Sequence, residues 1–356
     1  MHLGGGCLHE FAHGCDVLGG GGGGPATESL PLAANAIALN GPVPVVTLAE
    51  LPPDGLVMPC SLRGNPAVCV ERIGTGRESI PIRHHVERHF GKPVVAMLCT
   101  QIGGYNGPAA VALAAHAGLP LLDGDAVGRS FPGFDQVAMR LAGIPPTPTV
   151  FADEHDRVVA VHLGNRDGLE PLARTIIGGF GGRAVSSGYM MTVEQAAAAV
   201  VPDSVRKALR IGEILAEPVA TADAIRRLAD EFGGVAIIEG RVAAVLRPTG
   251  VASDQHTRAM VQGTGRDSGR TVRLEMGHHY LAAFDGDRTL AAVPDIIALV
   301  DAYTGLPVCA GELRYGLRVC AVALPCPPVW RTPEGLDLAG PEAFGLQACY
   351  RRLDVR

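Results

Sequence analysis

Aromatic residues are scarce. Phe, Tyr and Trp make up 4% of 356 residues, with a single Trp, so a core here must rest on Ala, Val, Leu and Ile. No apolar run approaches the roughly 20 residues of a membrane-crossing helix, so no membrane partner is expected. The opening MHLGGGCLHEFAHGCDVLGGGGGG lacks a cationic start, an apolar stretch and a cleavage pattern, and does not read as a secretory leader. The nine Cys are odd in number, include no CxxC pair and are widely spread, which favours reduced thiols in a cytoplasmic protein. Basic excess is missing too. Lys+Arg number 30 against 36 Asp+Glu, a net charge of −6, which argues against a nucleic-acid partner. There is no like-charge block and no internal repeat.

What is present is glycine, 47 residues, well above the usual ~7%. A hydrophobic share of 47% against 19% charged excludes a disordered chain. At roughly 100–200 residues per domain, the length suggests two domains. In the first half, strand-like and helix-like segments alternate. Val43–Leu48 reads as a strand and Ser79–Phe90 as an amphipathic helix. Val94–Cys99 is a continuous apolar run suited to a strand buried on both faces. Pro108–Ala117 reads as a helix, Leu119–Leu122 as a strand and Phe134–Ala142 as a helix. A further helix is expected from about Thr27 to Leu39. This alternation predicts an α/β domain with a parallel-sheet layer structure over 1–166. Gly143–Thr149, with three prolines, cannot be helical and marks a hinge.

Residues 167–356 are expected to begin with helical segments at Glu194–Val201, Ser204–Ala216 and Thr221–Phe232. From Gly234 to about 330 the period becomes two, broken by Gly and Asp turns. Asp285-Gly286 lies between two such runs as a hairpin signal. The second domain is therefore expected to be mainly β, barrel- or sandwich-like.

Four places carry candidate chemistry. Six consecutive glycines, Gly19–Gly24, can bring backbone N–H groups close to a ligand, with Gly21, Gly22 and Gly23 at the centre. No GK[ST] follows, so this is not a P-loop. Gln101–Asn106 (QIGGYN) joins a buried strand to a helix, where α/β sheets collect ligands. Gly103 and Gly104 permit close approach, while the Gln101 and Asn106 amides suit a neutral amide or ring. Asp123 and Asp125, two apart in an extended chain, face one way and provide a general base or hard metal ligands; Arg129 can orient them or clamp an anion. His85/His89 and His9/His13 are four apart, a spacing that serves a metal on a helix, and His278-His279 lies in a strand. A divalent metal such as zinc stays open as a cofactor. Cys60 and Cys69 read as small core residues, while Cys99 is the thiol placed for reactivity.

The glycine run, IGGYNG, LPLLDGDAVGRSFPGF, LAGIPPTPTVFADE, VPDIIALVDAYTGLP, ELRYGLRVCAVALPCPPVWRTPEGL and GPEAFG together resemble the S-methyl thiohydantoin desulfurase family, associated with hydantoinases and oxoprolinases. The resemblance runs through nearly the whole chain in order. It implies an α/β domain followed by a β domain, and hydrolysis of an S-methylated thiohydantoin to hydantoin and methanethiol. Where the family pattern has Glu before IGG, this chain has Gln101; His278-His279 also departs from it. The expected machinery is Asp125 and Asp123 activating water, with His279 as proton donor. Gln101 and Asn106 would hold the ring, Gly-rich N–H groups would meet developing charge, and Arg129 would orient the carboxylates. The alternatives are a biosynthetic enzyme acting on another cyclic amide or imine, or a non-catalytic ligand-binding subunit of a hydantoinase-type system. The expected partner is a small-molecule substrate, with homo-oligomerisation left open.

Overall fold

The computed structural model describes residues 1–64, 66–164, 168–248 and 256–353. The boundary expected at 166/167 lies outside the described residues.

The parallel strands form where the sequence is continuously apolar. Val94–Cys99 lies between Leu56–Gly64 and Leu121–Asp125, both parallel to it, with Val43–Val46 beyond. Both faces are covered. Met58, Cys60, Met97, Cys99 and Leu121 join a core built with helices such as Leu8–Gly19, Leu30–Asn40 and Asn106–Ala117. Val57, Ala96, Leu98 and Leu122 face the opposite way, toward Val193, Ala196 and Trp330. Two covered faces remove the alternation that a half-exposed strand would show.

Antiparallel strands Arg183–Ser187, Thr149–Ala152 and Val158–Val161 extend this sheet beyond Leu56–Gly64. The short strands Met191–Thr192 and Val201–Pro202 also pair into it. The chain reaches its second sheet only at Val235–Leu246. That sheet has seven antiparallel strands, and the hairpin Tyr280–Asp285/Arg288–Ala292 turns at Gly286 with φ 56°. The sheet curls until this hairpin packs against Ile296–Asp301 without hydrogen-bonding to it, leaving an open half-barrel around its own core.

The helices at Ser79–Phe90 and Thr221–Phe232 occupy the expected residues. Other expectations shift for local reasons. Val43–Leu48 ends at Val46 because Thr47 starts a short 3-10 turn, its N–H donating to the Glu50 carboxylate at 2.7 Å. The Leu119–Leu122 strand runs instead over Leu121–Asp125, after Pro120. Of Phe134–Ala142 only Ala138–Leu141 is helical, because the chain before it is held by tertiary contacts: Phe131 packs on Trp330, and Asp135 accepts from the Tyr189 hydroxyl.

The helix Leu8–Gly19 and the strand Leu56–Gly64 were not anticipated. Leu8–Gly19 crosses Ser204–Leu215 at Gly14 and Gly212, so closely that a Cβ on either glycine would overlap the other helix's carbonyl. That crossing aims the end of Leu8–Gly19 at the carboxyl edge of the parallel strands.

Candidate active site

Three loops that are distant in sequence meet at that edge. The Gly104 N–H donates to Cys15 O at 2.8 Å, and the Tyr105 N–H donates to Gly23 O and Gly24 O at 3.2 and 3.0 Å. Ile102 N–H donates to the Asp125 carboxylate at 2.8 Å. A Cβ at Gly103 would lie 2.6 Å from Gly19 Cα and 2.9 Å from Ser130 N, so glycine is required where the loops touch.

Asp125 joins them from below. Besides Ile102, the Gly128 N–H reaches both of its oxygens (2.7 and 2.9 Å) and the Ser204 hydroxyl donates at 2.7 Å. Its exposure is 0%. Burial pushes its pKa up to about 7, against the pull of the donors from Ile102, Ser204 and Gly128. Asp123 does share its direction, as two-residue spacing in a strand requires. Both carboxylates, however, face the start of the Ser204–Leu215 helix. Asp123 accepts the Arg206 N–H at 3.2 Å and pairs with its guanidinium at 3.1 Å. An acidic pair there complements exposed N–H groups and the positive helix end. Both carboxylate side chains are enclosed by protein.

Gln101, Arg129 and His279 are likewise enclosed. Gln101 Nε2 donates to Phe131 O at 2.9 Å, and its Oε1 accepts from Ser130 Oγ and Phe131 N. Arg129 does not pair with the carboxylates. Its Nη1 donates to Pro294 O and Asp295 O at 2.8 and 2.7 Å, tying the loop to the second sheet, while Nη2 is buried without a partner. The His279 ring sits near Phe131 and Phe344, with centroids 6.0 and 5.2 Å away. Desolvation, then Arg129 and His278, hold its pKa well below the usual histidine value. A neutral imidazole in that setting is a poor proton donor.

The glycine run differs from expectation in polarity. It follows the C-terminus of Leu8–Gly19, with Gly20 as a left-handed cap (φ 59°). A helix end of this kind presents carbonyls, not N–H groups. Gly19 O accepts from Gly22, Gly20 O from Tyr280 and Gly21 O from Ala310, in addition to the Gly23 and Gly24 carbonyls. Gly21 and Gly22 turn toward Tyr280 and His279, leaving no room for a Cβ. Gly23 and Gly24 turn the other way.

On that side an open pocket is lined by Gly23, Gly24, Pro25, Glu28, Leu62, Gly64, Cys69, Tyr105 and Asn106. Of the expected ligand-holding residues, Gly23 and Asn106 line it, and Gly104 packs beneath, against the carbonyls of Gly22 and Gly24. Asn106 Oδ1 accepts from Leu62 N at 2.7 Å, which orients the side-chain amide at the wall. The carboxylate here is Glu28, raised by burial and by Glu312. Asp16, which accepts from Ala26 N at 2.7 Å just behind the loop, is pushed up to about 7 by burial, then by Glu312 and Glu28. Glu28 stood in the sequence only as a helix-start residue. Its place four residues past the glycine run was the available signal. Cys69 reaches the pocket wall, whereas Cys60 and Cys99 are buried and have raised pKa values. Cys99 Sγ donates to Gln101 O at 3.1 Å. Among the described residues no three His, Cys, Asp or Glu side chains are grouped to hold a metal, and His85 and His89 stack with centroids 6.5 Å apart. No helix is long and apolar enough to cross a membrane, among the described residues.

Comparison with known proteins gives a consistent picture. A model of the S-Me-THD-like N-terminal domain matches residues 7–162, and one of the S-Me-THD-like C-terminal domain matches residues 164–353. An X-ray structure of a protein from Chromobacterium violaceum superposes with a TM-score of 0.82 at 22% identity, over 99% of this chain and 100% of that one, which shows a shared fold. No curated protein matches the chain.

Proposed function

The chain belongs to the S-Me-THD-like family, and from that premise we propose that it hydrolyses the C–S bond of a small S-methylated, hydantoin-like ring in the pocket between the glycine run and Asn106. The observation that carries the reading is the placing of one carboxylate, Glu28, and one amide, Asn106, in a largely apolar pocket at the carboxyl edge of a parallel sheet.

Water adds to the ring carbon that bears the S-methyl group. A C–O bond forms and the C–S bond breaks. Methanethiol leaves with one proton of the water, and the other proton stays on the ring nitrogen, giving the cyclic amide. Glu28, which lines the pocket beside Asn106, takes the proton from water. Asn106 holds the ring amide, and Leu62 and Tyr105 cover the ring faces. Asp125, Gln101 and Arg129 are positioning residues that hold the loops.

The test is thiol release from a 5-substituted S-methyl thiohydantoin by the purified chain, followed with a colorimetric thiol reagent. Glu28→Gln lowers kcat at least about 10²-fold while melting is unchanged. Wild-type turnover by Glu28→Gln would remove Glu28 from the mechanism. A second reading has support of its own. The enclosure of Asp123, Asp125 and His279 suits a non-catalytic binder of the same rings, which would show saturable ring binding with no methanethiol at any enzyme concentration.

A further inference from the structure

The strand Leu56–Gly64 ends between two cavities. Leu62 and Gly64 line the pocket just described. Ser61 and Arg63, alternate residues, face the other side of the sheet. There a second, narrow cleft, open to solvent, is lined by residues that include Ser61, Arg63, Thr100, Phe134, Ser186 and Tyr189. Ser61 and Ser186 are paired neighbours on adjacent strands, so their hydroxyls stand side by side.

Arg63 is the unusual group. Its guanidinium lies over the Phe134 ring, 4.2 Å from the centroid, and its Nε is buried without a hydrogen-bond partner. Burial pulls its pKa down to about 10, with Tyr189 and Glu170 acting the other way. Among the described residues it makes no ion pair. Glu170 is paired with Arg174, and the Tyr189 hydroxyl donates to Asp135 at 2.9 Å. Among the described residues, none that lines it carries a carboxylate. A guanidinium whose Nε is buried without a partner, and which has no carboxylate partner among the described residues, gains stability when an anion joins it.

We propose that this cavity binds a small carboxylate, paired with the Arg63 guanidinium and hydrogen-bonded by the Ser61, Thr100 and Ser186 hydroxyls. Stacking on Phe134 occupies the flat face of the guanidinium and leaves its edge, the side that matches two carboxylate oxygens. One cation balances one negative charge, which favours a monocarboxylate over a phosphate dianion. The site is independent of the catalytic reading, because it lies on the opposite face of the sheet and takes no residue from the glycine-side pocket.

Formate, acetate and inorganic phosphate are titrated at constant ionic strength, reading the arginine Nε–H resonances by NMR and the melting temperature. Saturable carboxylate binding that moves the Arg63 signal and raises the melting temperature is expected. Arg63→Gln weakens it at least about tenfold and Arg63→Lys weakens it less. The absence of a saturable shift, equal binding by Arg63→Gln, or tighter binding of phosphate than of either carboxylate would overturn the proposal. If Arg63→Gln does not fold, the Thr100→Val/Ser186→Ala double variant decides: weaker carboxylate binding supports the site and unchanged binding rejects it. Thiol release plays no part in these readouts, so a chain that fails as a hydrolase can still pass.

Discussion

Two groups of polar side chains crowd the carboxyl edge of the parallel strands, and they differ in where their partners are. Asp125, Gln101 and Asp123 have theirs inside the protein: backbone N–H groups, a hydroxyl, a carbonyl and the Arg206 guanidinium. Glu28, Asn106 and Arg63 face cavities with part of their bonding capacity open. A buried carboxylate whose acceptor sites are filled fixes backbone, since removing it would orphan every donor it satisfies. A charged group at a cavity wall is placed to meet something from outside. Residue type alone does not separate the two groups.

Asp125→Ala divides them most sharply. It leaves the Ile102 and Gly128 N–H groups buried without an acceptor and the Ser204 hydroxyl with Val201 O alone, and costs about 3–5 kcal/mol in urea unfolding. Near-native stability would place Asp125 with the ligand-facing group. Glu28→Gln shows the opposite profile, lost turnover with an unchanged melting curve, as described above. Gly23→Ala acts on the seam between the groups. With φ 82° and a Cβ 2.7 Å from Gly103 O, it destabilises by about 1–3 kcal/mol and weakens ring binding in calorimetry.

Acidity separates the groups more gently. The folded chain holds the Asp125 carboxyl near 7, while the unfolded chain titrates it near ~3.9. Between these values the folded state keeps a proton that the unfolded state has released. This contribution is therefore full at the acid end and is lost as pH rises from about 4 to about 7, by up to ~1.4 kcal/mol per pH unit. Asp16, also near 7, has the same sign. Urea midpoints across this range check the slope, and Asp125→Asn, which does not titrate, flattens it. The smallest effect belongs to Asp123→Asn. Its Arg206 partner is half exposed, so the loss is about 0.5–1 kcal/mol.

Much of the framework was legible. Val94–Cys99 reads as a doubly covered strand because nothing polar interrupts it, Ser79–Phe90 and Thr221–Phe232 carry helical periodicity, and Asp285-Gly286 supplies the hairpin turn. Leu8–Gly19 was hidden because glycine at 14 weakens its helical signal, and its need for glycine arises only where another helix crosses. The candidate site was half legible. Gly23 and Asn106 announce themselves by pattern. Glu28, one acidic residue among many, becomes notable only when the chain folds it into one pocket with Asn106.

Sequence alone determined the α/β-then-β order and the family, because these follow from periodicity, turn chemistry and ordered motifs along the chain. Tertiary structure decided which way the glycine run faces, that Asp123 and Asp125 serve the Ser204–Leu215 helix, and that Arg63 makes no ion pair among the described residues. The reason is physical: whether a charge is a scaffold or a site depends on solvent access and on partners brought from distant parts of the chain, and local pattern encodes neither.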